Sequence, residues 1–374
     1  QGWEKAPSYR AFLQAFETPS RQHATRAGRW VGLAGWPSKR VKAKMFHLNP
    51  GRLDAKPRPE ATLSHRSPLS IGLGATEWLS MGVDGEQPGD QREDDARSLA
   101  FDSAPFETPI DLLGQVGLDL EIAVDRPVAH LIARLCDVAP DGQSVRIAFQ
   151  ALNLTHRDSH ETPAPMTPGE RTRIHFDLPD VGWSVAPGHR LRLALSTSYW
   201  PIIWPAPEAV TLTLFTGQSR MTLPVLTAKP GETAPSFGPP ERAPEIDIEI
   251  VTPGRVQRRL ARDMMTGETT IETIADGKFL GPARRWRIAE IGAVIGHTMT
   301  KRVTIADDDP ISARAEYVQT YELEREKWRI RLETRLVFRA TRTHWIIEQD
   351  ATAFDGTATI SKRNWRKEIP RDLI

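Results

Sequence analysis

A period of two in the placement of apolar side chains constrains this chain more than any other feature. Val116, Leu118, Leu120, Ile122 and Val124 alternate with Gly117, Asp119, Glu121 and Ala123. Ile174, Phe176 and Leu178 alternate with Arg173, His175 and Asp177, and Leu191, Leu193 and Leu195 with Arg190, Arg192 and Ala194. Val210, Leu212 and Leu214 alternate with Thr211 and Thr213. Successive side chains of a strand point to opposite faces, so each run reads as a strand with one buried face. Turn signals such as Pro140-Asp141-Gly142, Pro168-Gly169 and Pro187-Gly188 separate the runs. Short strands with such punctuation and almost no helical period predict a mainly β fold, a sandwich or jelly roll.

The pattern breaks between Thr227 and Pro244, where Pro230, Pro235, Pro239, Pro240 and Pro244 disfavour both helix and ladder. A linker over 229–244 is expected. Beyond it Ile246, Ile248 and Ile250 alternate with Asp247 and Glu249. Trp328, Ile330, Leu332, Leu336 and Phe338 share one parity against Lys327, Arg329, Arg331, Glu333 and Arg335. One apolar and one ionic face is the mark of an antiparallel sheet with one side open to water. These strands predict a second all-β unit over 245–374. In the first sixty residues Tyr9, Phe12, Leu13 and Phe16 leave helix and strand equally open, while 29–36 and 44–48 read as two strands. Residues 84–97 are acidic and polar, and are expected to form an ordered loop or a connection.

Charge and cysteine usage narrow the function. Lys plus Arg is 49, Asp plus Glu is 48 and the net charge is +1, so no basic excess points to nucleic acid. The basic runs Arg255–Arg262 and Arg284–Arg287 read as solvated faces. No stretch nears the ~20 apolar residues that span a bilayer. The single cysteine, Cys136, lies in the apolar run His130–Val138 and reads as a buried thiol. No cofactor motif is present. Gly72-Leu73-Gly74 lacks the third glycine of a dinucleotide loop, and Gly-x-Ser-x-Gly is absent, since Arg146 and Met221 stand where the last glycine would be. His156, Asp158, His160 and Glu161 form either a metal-ligand cluster or a polar loop. Asp307-Asp308-Asp309-Pro310 reads as a calcium site or, more simply, a charged turn. Asn153-Leu154-Thr155 matches a glycosylation sequon without other secretory support. The run Tyr199-Trp200-Pro201-Ile202-Ile203-Trp204-Pro205 is the most unusual local feature. Such aromatics line a ligand groove, mark an interface or cap a core.

Several separate segments resemble one family. Leu99-Ala100-Phe101-Asp102-Ser103-Ala104-Pro105, Ala133-Arg134-Leu135-Cys136-Asp137-Val138-Ala139-Pro140-Asp141-Gly142, Asn153-Leu154-Thr155-His156-Arg157, Pro187–Leu193 and Ser196–Pro201 fall in its order. They are similar to the non-catalytic C-terminal domain of X-prolyl dipeptidyl-peptidases and cocaine-esterase-like serine hydrolases (peptidase family S15, CocE/NonD type). The resemblance implies a galactose-binding-like jelly roll over 62–228. Gly28-Arg29-Trp30-Val31 through Trp36-Pro37-Ser38 resembles the last strands of the family's α/β-hydrolase domain, so 1–60 is expected to be its C-terminal remnant. Residues 245–374 look like an extra β-domain of a subset of these proteins.

In such enzymes the Ser, Asp and His of the triad precede the position that Trp30 matches. No catalytic residue carries over, and the chain is expected to be inactive alone. The resemblance implies packing on a catalytic domain of the same protein, with Tyr199, Trp200 and Trp204 at its substrate cleft or interface. No metal or other cofactor is expected from the motifs, the cysteine usage points to a cytoplasmic setting, and a homo-oligomer is left open. The competing reading is a carbohydrate- or ligand-binding β-sandwich that uses Trp200 and Trp204 as a platform. An exposed apolar patch over Trp30, Trp36, Phe46 and Leu48 is expected if 1–60 belongs to a larger body.

Overall fold

The structure, a computed structural model, describes residues 7–75, 77–78, 83–229, 234–277 and 281–374. The first unit contains β1 (Tyr9–Ala15), β2 (Gly28–Leu33), β3 (Val41–Asn49), β4 (Arg52–Asp54), β5 (Thr62–Arg66), the short helix α1 (Arg92–Ala96) and β6 (Leu99–Ser103). It continues with β7 (Ile110–Val124), β8 (His130–Val138), β9 (Ser144–Asn153), β10 (Thr172–Val185), β11 (Arg190–Ser196) and β12 (Thr211–Leu226). These strands run in the order β2-β1-β10-β7-β12-β3-β4-β6-β11-β8-β9, with β5 added on β12. The path curls on itself into a β-sandwich. Leu118, Leu120 and Ile122 of β7 share one core with Ile174 and Leu178 of β10, Leu131 and Leu135 of β8, and Leu191 and Leu193 of β11. The inward parity of each strand is the one its alternation dictates.

The segment expected as a hydrolase remnant hydrogen-bonds into this same sheet. β1 pairs with β2 and β10, and β3 pairs with β12. The spacing of Tyr9, Phe12 and Leu13 resolves as strand, with Leu13 packed on Val31 and Leu33. Phe46 and Leu48 have the inward parity of β3 and enter the sandwich core, whereas Trp30 and Trp36 stay 40% and 43% exposed. The apolar patch expected over all four residues therefore shrinks to the two tryptophans. Residues 234–247 carry no regular structure, and Phe237 lays its ring on Trp30 at 4.6 Å.

The second unit is a nine-stranded sheet in which every pairing is antiparallel. It comprises β13 (Ile248–Thr252), β14 (Arg255–Arg262), β15 (Glu268–Asp276), β16 (Arg285–Ile288), β17 (Ala293–Ala306), β18 (Asp309–Arg325), β19 (Trp328–Ala340), β20 (His344–Asp355) and β21 (Ala358–Pro370). The path is β13-β16-β17-β18-β19-β20-β21, with β15 on β17 and β14 on β15. The alternation of Ile246, Ile248 and Ile250 does not mark a buried face. All three are exposed, and the last two lie on edge strand β13.

The acidic stretch 84–97 is built inward. Its helix α1 buries Asp94 and Asp95. Asp95 Oδ1 lies 3.0 Å from Arg134 Nη1, and both side chains are fully buried. Ser144 Oγ donates to Asp95 Oδ2 at 2.7 Å, and Arg192 Nη1 lies 3.3 Å from the same oxygen. Arg134 also donates to Gln91 Oε1 and Ser98 Oγ. Asp94 accepts the backbone N–H groups of Gly72 and Gly74, each at 2.9 Å. Breaking a buried pair by removing one partner leaves an uncompensated charge and costs about 3–5 kcal/mol. Arg134→Met is therefore expected to lower unfolding stability by about that amount, read as a fall in the urea midpoint at unchanged slope. A loss below about 1 kcal/mol, the level of a surface ion pair, contradicts this.

Candidate functional site

β11 ends at Ser196, and the aromatic run after it turns back tightly, with Ile203 N donating to Tyr199 O at 2.8 Å. Tyr199 is fully buried on Ala75 and Ile132, and its hydroxyl accepts from Arg146 Nη1 at 2.6 Å. Burial raises its pKa, so the phenol stays neutral. Trp200 N donates to Ile71 O at 2.6 Å. Its indole packs on Leu69 of the first unit and on Val303, Ile305, Ala313 and Ala315 of β17 and β18. Trp204 meets Trp200 edge-on at 5.3 Å and Phe338 of β19 at 4.5 Å, and Phe338 stacks on Trp345 at 5.3 Å. Among the described residues neither indole N–H has an acceptor, so packing rather than hydrogen bonding holds this contact.

Of the three aromatics singled out in the sequence, Trp200 and Trp204 thus meet at the junction between the sandwich and the second sheet, whereas Tyr199 packs within the sandwich. Trp200 is 1% exposed and offers no face to a ligand. A sugar platform on it is incompatible with that burial, because stacking needs an open ring.

Polar contacts surround the aromatic step. Asp307 Oδ1 accepts from Ser70 N at 2.8 Å, and Asp307 Oδ2 from Arg262 Nη2 at 2.7 Å. The acidic turn considered for calcium therefore ties β17 to the sandwich. At the C-terminus, buried Arg371 donates to Pro205 O at 2.7 Å and lies over the Trp345 ring at 4.2 Å. Asn153 Nδ2 and Thr155 Oγ1 both donate to Leu373 O at 2.9 Å, so the sequon asparagine serves the same junction. Burial, and then the charge of Arg371, push His130 down to about 4. Burial lowers Arg371 to about 10.

The remaining candidates do not assemble. His156 lies in a 3-10 turn rather than a strand, its Nδ1 3.3 Å from that of exposed His160, while Asp158 pairs with Arg157. Among the described residues no three His, Cys, Asp or Glu side chains gather to hold a metal. Ser219 Oγ donates to Phe215 O and accepts from Glu121 N, and Cys136 is buried with its thiol pKa pushed up by loss of water. A pair that sequence reasoning missed is Asp137–His189: Asp137 is buried and accepts from Trp183 Nε1 and from His189 Nδ1, each at 2.8 Å. A carboxylate in a strand of mainly apolar residues was the available signal. His189 packs its ring on Phe16, so the pair fastens β8 and the turn before β11 to the residue that follows β1.

Two outcomes follow from the junction. Trp200→Ala removes a buried indole, at a cost of about 3–5 kcal/mol, and is expected to make 234–247 cleavable by protease at a lower temperature than in the parent. Unchanged protection contradicts a packing role. The folded state keeps His130 neutral down to about pH 4, whereas the unfolded chain protonates it near 6.5. Stability is then level above about pH 6.5 and falls as the pH drops towards 4, by about 3 kcal/mol from this group alone. His130→Asn should remove that part of the slope in chemical denaturation at stepped pH, and an unchanged slope counts against it.

Comparison with known proteins places this geometry. Residues 1–237 match the X-Pro dipeptidyl-peptidase C-terminal non-catalytic domain. A Mycobacterium bovis protein described as a candidate serine esterase is 26% identical over 238 residues, covering 56% of this chain and 38% of that protein. Cocaine esterase of a Rhodococcus species is 26% identical over 131 residues, covering 34% of this chain and 22% of the esterase. An alpha-amino acid ester hydrolase structure is 20% identical with a TM-score of 0.47, covering 53% of this chain and 39% of that one. The chain thus spans well under half the length of the curated relatives it matches. Since the match runs through more than half of its residues, the chain belongs to the X-Pro dipeptidyl-peptidase C-terminal non-catalytic domain family.

Proposed function

We propose that this chain is the non-catalytic portion of a serine hydrolase acting on an ester or on the amide after an X-Pro dipeptide, and that it packs on the catalytic domain beside the substrate cleft. The observation that carries the reading is the family match over 1–237 in a sequence without Gly-x-Ser-x-Gly. An acyl-enzyme route needs an activated nucleophile on a strained turn. Here the serines that begin such a motif, Ser144 and Ser219, spend their hydroxyls on Asp95 and on a backbone carbonyl.

The contact surface we infer is the β1–β2 hairpin and the turn after it. Trp30 and Trp36 lie open there, with Tyr9 stacked on Trp36 at 5.1 Å and Phe12 edge-on to Trp30 at 5.3 Å. Aromatic anchors of this kind dominate interface energetics when a partner covers them. Trp200 and Trp204 act one step removed in this reading, by holding the second sheet against the sandwich, and Tyr199 anchors their loop from within it.

The purified chain is expected to hydrolyse p-nitrophenyl acetate no faster than buffer and to take up no fluorophosphonate label; a stoichiometrically labelled serine overturns the proposal. Mixed with the separately produced α/β-hydrolase domain of the same protein, it should form a complex that Trp30→Ala with Trp36→Ala weakens by about 2 kcal/mol or more. An unaltered affinity moves the contact elsewhere.

A further inference from the structure

A cleft of about 170 Å³ lies where β14, β15 and β17 meet Leu73 and Pro201 of the sandwich. Its floor is apolar, with Leu260, Ile271 and Val303 from three adjacent strands. Its charged groups are three cations, Arg21, Arg258 and Lys301, against one carboxylate, Glu77, while Arg259 alternates to the other face of β14, opposite Glu272. Glu77 is shared, since Oε1 accepts from Arg258 Nη1 and Oε2 from Lys301 Nζ, each at 2.8 Å. Arg21 donates to Leu73 O at 3.1 Å. Arg258 also lies 3.6 Å from Glu86 Oε1, whereas among the described residues Arg21 has no carboxylate within ion-pair distance. Loss of water and then the charge of Arg258 lower the pKa of Arg21, as expected of like charges gathered over an apolar surface.

We propose that this cleft binds a small amphipathic carboxylate, its head on the guanidinium group of Arg21 with Arg258 and Lys301 beside it, and its short chain on Leu260, Ile271 and Val303. Guanidinium forks match a planar carboxylate through two parallel hydrogen bonds. A short apolar floor of three side chains suits an acid with a short chain. The floor has no use for an anion without an apolar body, and the cations have none for an uncharged chain. The site draws on residues of both units, so occupancy also bears on how the second sheet seats. Nothing in it depends on the hydrolase reading.

Titration calorimetry with sodium hexanoate tests this, with 1-hexanol and inorganic phosphate as the two halves of the ligand. Hexanoate is expected to give a saturable signal, with each control weaker by about tenfold or more. Arg21→Ala removes one exposed guanidinium whose described hydrogen bond goes to a single carbonyl. It is expected to weaken hexanoate by about tenfold, and Leu260→Asp, on the exposed strand β14, to abolish binding. Hexanol or phosphate binding as tightly as hexanoate overturns the proposal. So does hexanoate that fails to bind, or that binds both variants as it binds the parent.

Discussion

The ion pair of Arg134 and Asp95, taken wholly out of water, is the constraint on which the rest of this architecture depends. Desolvating two such ions costs several kcal/mol each, and their attraction offsets this only when the remaining donors and lone pairs are also met. Gln91, Ser98, Ser144 and Arg192 meet most of them, and they come from the two flanks of α1 and from β9 and β11. That arrangement fixes α1, and so aims the neighbouring Asp94 at the N–H groups of Gly72 and Gly74. The turn they form passes so close to Trp200 that a Cβ on Gly72 would sit 2.6 Å from its carbonyl oxygen, at a φ of +108°. Only glycine fits there. The buried charge therefore sets the turn, the turn sets the Trp200 backbone, and Trp200 carries its indole into the second sheet.

The junction divides its labour between dry packing and a polar rim. Trp200, Trp204, Phe338 and Trp345 supply area, and aromatic pairs in edge-on or stacked geometry add about 0.5–1.5 kcal/mol each beyond burial. Area alone does not set register. Asp307 on Ser70 and Arg371 on Pro205 do, because each requires one donor to find one acceptor across the gap. Burial keeps His130 neutral, and the like charge of Arg371 beside it adds to the effect.

How much of this the residues announced depends on which force dominated at each place. In β7, β10 and β11 burial of one face decides everything, and the alternation of Leu118, Ile174 and Leu193 with their polar neighbours makes strand and orientation legible at once. In β1 the apolar spacing fits two periods, and the choice of strand is made by pairing with β2 and β10, which a local pattern does not carry. β13 shows the converse, since its isoleucines alternate cleanly yet remain exposed on an edge. Asp94 and Asp95 misled for a different reason. A carboxylate is ordinarily on the surface, and its burial is fixed by partners 20–97 residues away in sequence. Tyr199, Trp200 and Trp204 stood out by composition, but whether they face a ligand or a neighbouring sheet is decided by Val303 and Phe338, a hundred residues on.

The second sheet poses a problem that its charges answer. β21 is paired on one side alone and exposed along its whole length, with Ile360, Trp365 and Ile369 open to solvent. An open edge with apolar side chains invites pairing with another chain. Lys362, Arg363, Arg366 and Lys367 lie on that edge, so an antiparallel approach by a second β21 brings cation against cation. Arg366 is held by Glu348 and Glu368 within its own sheet, which keeps the guanidinium at the edge rather than free to fold away. The junction and the edge are thus complementary solutions: apolar side chains are buried where Trp200 and Trp204 reach the sheet, and charge guards the strand that nothing in the sandwich covers.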